Sequence, residues 1–119
     1  MDITKYKIQV TEEIVEPMIS FMEDCGEDAE YSKKDVAKCE TLILNYLSAL
    51  EALVEPSDAA IMAQVKKVVL ALNKLNEKTD YSLIETDARE AIWDVIQSSA
   101  IECGLQTEEE DITGEWRDW

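Results

Sequence analysis

Between residues 33 and 78, apolar positions recur at steps of three and four. Val36, Cys39, Leu42, Ile43, Tyr46, Leu47, Leu50, Leu53 and Val54 form one series, and Ile61, Met62, Val65, Val68, Val69, Leu72 and Leu75 form a second. A helix turns every 3.6 residues, so each series predicts a helix with one apolar face. Glu55, Pro56, Ser57 and Asp58 lie between them. Pro56 cannot continue the first helix, and Ser57 is a good N-cap for the second. Two stripes joined by so short a turn predict an antiparallel hairpin, its arms running to about Val54 and from about Asp58 to Lys78.

The N-terminal stretch reads two ways. Ile3, Tyr6, Val10, Ile14, Met18, Phe21 and Cys25 keep helical spacing, while Tyr6, Ile8 and Val10 alternate as a short strand would. Thr11 followed by Glu12 and Glu13 has the form of an N-cap with acids in the first turn. A helix is expected over residues 11–24, with a backward extension left open, a bend near Pro17 and Gly26 as its end. Residues 27–32 form an acidic loop, and Ser32 with Asp35 has the form of a capping box. After a connector at 80–85, Thr86 is expected to cap a fourth helix. Its inner face carries Ala88, Ile92, Val95, Ile96, Ser99 and Cys103, with Trp93 and Ala100 along its edge. Gly104 followed by Leu105 fits a Schellman ending.

Residues 106–119 differ from the rest. They open on Glu108, Glu109, Glu110 and Asp111, and they hold two of the three Trp in the last four positions. Disordered tails lack aromatics, and burying a Trp stabilises by roughly 2–4 kcal/mol. The tail is expected to dock on its own bundle. The sharper alternative makes Trp116, Arg117 and Trp119 an anchor for a partner, since Trp and Arg dominate interface hot spots. The fold expected is all-α: an up-down four-helix bundle in one domain, residues 1–119, with a docked tail at 106–119.

Composition agrees, and charge adds to it. Hydrophobic residues make up 46% of the 119, with only three Gly and two Pro, which favours a real core and long helices. No apolar run is long enough to span a membrane, and the first residues lack the basic-then-apolar pattern of a signal peptide. Cys25, Cys39 and Cys103 are odd in number and unclustered, the pattern of reduced thiols rather than a disulfide framework. Cytoplasmic residence is therefore expected. The net charge is −16, and it is unevenly spread. Residues 1–32 carry nine acids and two lysines, residues 33–80 seven charges of each sign, and residues 81–119 eleven acids and two arginines. In an up-down bundle the first and last helices are neighbours, so the two acidic ends should form one negative region. Such a field repels nucleic acid and anionic membranes and attracts basic proteins.

Catalytic chemistry finds little support. The chain has no His, which removes imidazole bases, Ser-His-Asp and Cys-His arrangements and His metal sites. The thiols lack zinc spacing, and neither a glycine-rich phosphate loop nor a calcium loop occurs. No cofactor and no metal are expected. The closing residues, Asp-Ile-Thr-Gly-Glu-Trp-Arg-Asp-Trp after an acidic run, resemble the C-terminus of small uncharacterised bacterial proteins. In general character the chain also resembles immunity proteins of bacterial toxin systems, which are small, acidic and helical. That resemblance implies a non-enzymatic inhibitor that captures a basic protein surface, a toxin or a nucleic-acid-binding protein, through an acidic face. Glu108, Glu109, Glu110, Asp111, Trp116, Arg117 and Trp119 are the candidate partner-binding residues. A DNA-mimic protein, a structural or adaptor subunit and a carboxylate-based hydrolase are the alternatives.

Overall fold

Proline 17 has no N–H, and its ring crowds the carbonyl four residues back. A computed structural model, which describes residues 1–119, shows how the first helix absorbs this. Thr4–Val10 is α-helical, Thr11–Val15 is π-helical, and Glu16–Cys25 is α-helical again with Pro17 in its first turn. The Glu16 N–H reaches back five residues to the Thr11 carbonyl, and the backbone stays right-handed helical across both junctions. The widened turn takes up the mismatch that a proline would otherwise impose as a break. These segments together are α1. Gly26, at φ 58°, ends it, and one 3-10 turn, Gly26–Asp28, follows.

Helix α2, Lys33–Ala52, opens on a complete capping box. The Asp35 N–H donates to Ser32 Oγ, and the Ser32 N–H donates to Asp35 Oδ2 at 2.9 Å. Helix α3, Asp58–Lys78, is capped by Ser57, whose Oγ accepts from the Ala60 N–H at 3.1 Å. Helix α4, Thr86–Glu102, ends in a Schellman motif. Leu105 N–H donates to the Ala100 carbonyl, Gly104 N–H donates to the Ile101 carbonyl, and Gly104 supplies the required φ of 115°. The protein is all-helical, with four helices and no strand.

One apolar cluster joins all four helices. The α2–α3 pair contributes Val36, Cys39, Ile43, Leu47, Leu50, Ile61, Val65, Val69 and Leu72. Helix α1 adds Tyr6, Val10, Ile14 and Met18, and α4 adds Ile92, Val95, Ile96 and Ala100. Tyr46 crosses the core to donate its hydroxyl to the Ile96 carbonyl at 2.8 Å. Helix α1 lies against α4, where Lys5 pairs with Glu102 at 3.0 Å and Gln9 Nε2 donates to Asp94 at 2.8 Å. Tyr6 and Lys5 hydrogen bonding holds the Glu102 carboxyl below its ordinary range.

Several expectations need correction. Of the two readings left open for Tyr6, Ile8 and Val10, the helix is the one observed: Tyr6 and Val10 share the buried face while Ile8 points outward. Thr11 is no cap: it lies inside α1, and its hydroxyl donates to the Lys7 carbonyl. Thr86 is the first helical residue rather than the cap; Glu85 holds the cap position and makes no side-chain cap bond. Val54 lies beyond the end of α2 and is 87% exposed, and Phe21 faces outward from α1. Ala100, placed at the edge of α4, is fully buried.

Cys39 lies wholly inside the cluster, and burial pushes its thiol pKa up to about 12. Cys25 and Cys103 are half-buried and unpaired. A thiolate is the reactive species, so a native-state titration with a disulfide reagent should modify Cys25 and Cys103 and spare Cys39 until denaturant is added. Modification of all three thiols at one rate would mean that Cys39 is not in the core.

Candidate partner-binding surface

Charge pairing is sparse in this protein. Lys5–Glu102 and Arg117–Asp111 are its two ion pairs, at 3.0 and 2.8 Å. Every other carboxylate stands without a cation in ion-pair reach. Glu12, Glu13 and Glu16 are exposed on α1, and Glu90 and Asp94 are exposed on α4, the helix that packs against it. Both helices come from acid-rich ends of the chain, and little of their charge is cancelled by local ion pairs.

Residues of the C-terminal segment exchange hydrogen bonds with side chains of α3 and α4. Asn73 Nδ2 donates to the Trp116 carbonyl at 2.8 Å, and Asn73 Oδ1 accepts from the Asp118 N–H at 3.2 Å. Gln97 Oε1 accepts from the Ile112 N–H at 3.0 Å and from Trp93 Nε1 at 3.1 Å, while its Nε2 donates to the Glu109 carbonyl. Ile112 and Thr113 are buried. Of the candidate residues, Glu108, Glu109 and Glu110 are exposed, whereas Asp111 is turned inward. Its carboxylate accepts from the Thr113 N–H and hydroxyl and pairs with Arg117 Nη2. Trp116 and Trp119 are half-buried and pack against the core cluster. Lys66 lies 5.9 Å from the Trp116 ring centre, and the Arg117 guanidinium 5.4 Å from that of Trp119. Arg117 Nε and Trp119 Nε1 are buried without a hydrogen-bond partner.

A second feature escaped the sequence reading. A cleft of about 530 Å³ opens between α1, around Pro17, and the connector that leads into α4. Ile14, Met18, Leu83 and Ile84 form its apolar floor. Phe21 and Tyr81, 50% and 53% exposed, stand at its rim with the carboxylates of Glu13, Glu85 and Asp87, and Arg89 is its one cation. Large aromatics so exposed at a cleft are characteristic of contact surfaces.

The connector that presents Tyr81 is strained. Asp80 and Tyr81 adopt φ of 55° and 61°, a left-handed conformation that costs a non-glycine residue about 1–2 kcal/mol. Buried polar residues hold it there. The Asn76 carbonyl accepts from the Tyr81 N–H at 2.8 Å and from the Thr79 hydroxyl at 2.9 Å, and Asn76 Oδ1 accepts from the Ile84 N–H at 2.9 Å. Thr79 Oγ1 in turn accepts from the Leu83 N–H. Tyr31, largely buried in the cleft wall, donates to the Met18 carbonyl at 3.0 Å, and desolvation raises its phenol pKa. The Ser82 hydroxyl donates to Glu30, which ties the acidic loop to the same connector. Asn76 was the readable signal: an amide on the buried stripe of α3, where only a satisfied hydrogen bond would make it tolerable.

Fold and surface together define a small all-helical protein with an acidic surface and an aromatic-rimmed cleft. The chain belongs to a family of unknown function, DUF5713, whose pattern matches residues 16–119. That span includes residues 106–119 and every cleft residue except Glu13 and Ile14. No curated protein and no solved structure matches the chain.

Proposed function

We propose that this protein is a non-enzymatic binding protein of immunity type, which inhibits a partner by capturing a basic surface. In this reading the four helices form an up-down bundle with the C-terminal segment docked across α3 and α4. The observation that carries it is the cleft beside α1: two exposed aromatics, Phe21 on α1 and Tyr81 on a strained, internally braced connector, ringed by carboxylates with one cation. Strain held by surrounding bonds favours a preformed site, and a preformed aromatic rim lowers the ordering cost of binding. Unpaired acids on α1, α4 and residues 108–110 steer a basic partner in. Phe21 and Tyr81 then hold it, with Trp116, Arg117 and Trp119 as a second contact patch. The partner is a basic protein, a toxin or a nucleic-acid-binding protein, and the complex forms in the cytoplasm.

The test couples stability to binding. Tyr81→Gly should change stability by less than about 1 kcal/mol, because relief of left-handed strain opposes the greater chain entropy of glycine. The same variant, and Phe21→Ala, should lose most retention of a basic protein that wild type captures from lysate at low salt and releases at high salt. Replacing Glu108, Glu109 and Glu110 with Gln should slow association and leave dissociation little changed. The captured protein, identified by mass spectrometry, must then lose its own activity on binding. If no salt-sensitive basic protein is retained, or the cleft variants retain it fully, the reading fails.

A further inference from the structure

Against an acidic background, α2 and α3 carry a groove of the opposite sign. Lys34 and Lys38 lie along one side of it and Lys74 and Lys78 along the other, over a floor that includes Leu42 and Leu75. Its volume is about 400 Å³, and no carboxylate lines it. None of the four lysines has an acid within ion-pair distance, although acids outnumber bases 27 to 11 in the chain. Each pair is spaced i, i+4 on its helix, so the two rows run parallel to the helix axes.

Helix-end electrostatics account for only one of the two lysine rows. Lys34 lies in the first turn of α2, where the helix dipole disfavours a cation. Lys74 and Lys78 suit the C-terminal end of α3, but Lys34 and Lys38 do not gain from their own helix end. The exposed Ala37 and Thr41 and the half-buried Ala71 keep the floor shallow enough for another backbone to approach.

We infer that the α2–α3 groove binds an acidic amphipathic helix of a partner protein, its apolar side on Leu42 and Leu75 and its carboxylates on the two lysine rows. A groove between two helices with apolar floor and charged rails matches helix-in-groove recognition. The occupant is not a long polyanion, which would extend over the acidic ends of the molecule and be repelled there. Nor is it a second copy: the net charge of −16 opposes self-association, and the apolar faces of α1 and α4, the two acidic helices, are already buried in the core. An open groove also gives no enclosure to a lone acyl chain. At about 0.15 M salt the Debye length is about 8 Å, so the lysines act on a ligand in the groove while more distant acids are screened. This inference stands independently of the basic-partner reading.

The probe is a synthetic amphipathic peptide with Leu and Ala on one face and Glu on the other, titrated into the full chain at physiological salt up to millimolar concentration. Amide NMR shifts should concentrate at Ala37, Thr41, Leu42, Ala71 and Leu75. Lys38→Gln with Lys74→Gln should weaken binding at least tenfold while the fold is kept, as judged by an unchanged melt. Lys34→Gln should also weaken it, yet raise the melting temperature of the free protein, because it removes a cation from a helix N-terminus. A structural role for Lys34 would move both readouts the same way. The inference is overturned if the peptide shifts nothing or shifts other residues. It is also overturned if the glutamine variants bind equally, if a Lys-for-Glu version of the peptide or a single-stranded oligonucleotide occupies the groove as well, or if sedimentation shows a dimer that Lys38→Gln abolishes.

Discussion

Leu47→Ala and Leu72→Ala are each expected to cost about 2–5 kcal/mol of folding stability. Both side chains are completely buried, one on each arm of the α2–α3 pair, and both belong to the cluster that joins all four helices. Truncation removes the transfer free energy of three carbons and leaves a cavity that neighbours fixed on four sides cannot close. A protein of this size has only about 5–15 kcal/mol to lose, so the double variant should be largely unfolded at ambient temperature. Urea denaturation measures each loss. The slope with denaturant should stay unchanged, because cavity formation alters stability without altering the surface exposed on unfolding. A cost under about 1 kcal/mol at both sites would place the apolar stripes on the wrong face of their helices. Leu53→Ala, at the half-buried end of α2, is the internal comparison and should cost clearly less.

The helices were legible because each is specified twice, by period and by punctuation. Ser32 with Asp35, Ser57, and Gly104 with Leu105 terminate elements whose apolar spacing had already been read. Ends lacking such agreement were misplaced. Thr11 looks like a cap, but Ile3, Tyr6 and Val10 keep the buried stripe running, and burial of three large side chains outweighs one capping bond. The π-helical turn at 11–15 could not be read from spacing, because a widened turn shifts the apolar period by too little to register in so short a stretch. The C-terminal acids and tryptophans were singled out as residues, but their geometry was not. Asp111 reads as one more carboxylate of an acidic run, yet Arg117 and Thr113 turn it inward, a pairing that depends on the chain folding back over six residues. The cleft was invisible for another reason. Phe21 and Tyr81 are far apart in sequence, and Tyr81 is exposed through a left-handed backbone that no glycine announces.

Trp116→Ala and Trp119→Ala are the substitutions that separate the two roles open to the C-terminal segment. If the segment holds itself on α3 and α4, each should lower stability by about 2–4 kcal/mol, from the aromatic area withdrawn from the core cluster. At this chain length that is a fall of roughly 3–6 °C in melting temperature per kcal/mol, well within reach of a thermal melt. If the segment acts only as an anchor, the free protein should melt unchanged while the complex dissociates faster. Asn73→Ala sharpens the distinction, because it removes two of the three hydrogen bonds between α3 and the segment, leaving the one from the Gln106 N–H to Asp58, without touching an aromatic. A docked segment predicts that it too destabilises, by about 1–3 kcal/mol. Trp119→Phe then isolates the unpartnered indole. Trp119 Nε1 is buried with no acceptor, and burying such a group costs about 1–3 kcal/mol. Phenylalanine keeps most of the ring contact with Arg117 and removes that donor, so the free protein should hold its stability or gain. A partner that supplied an acceptor to this nitrogen as the segment shifted would bind the phenylalanine variant more weakly. The combination of a stable free protein and a faster-dissociating complex would thus assign the indole N–H to recognition, and a drop in melting temperature for Trp119→Phe would instead mean that the lost indole area outweighs relief of the unpartnered nitrogen.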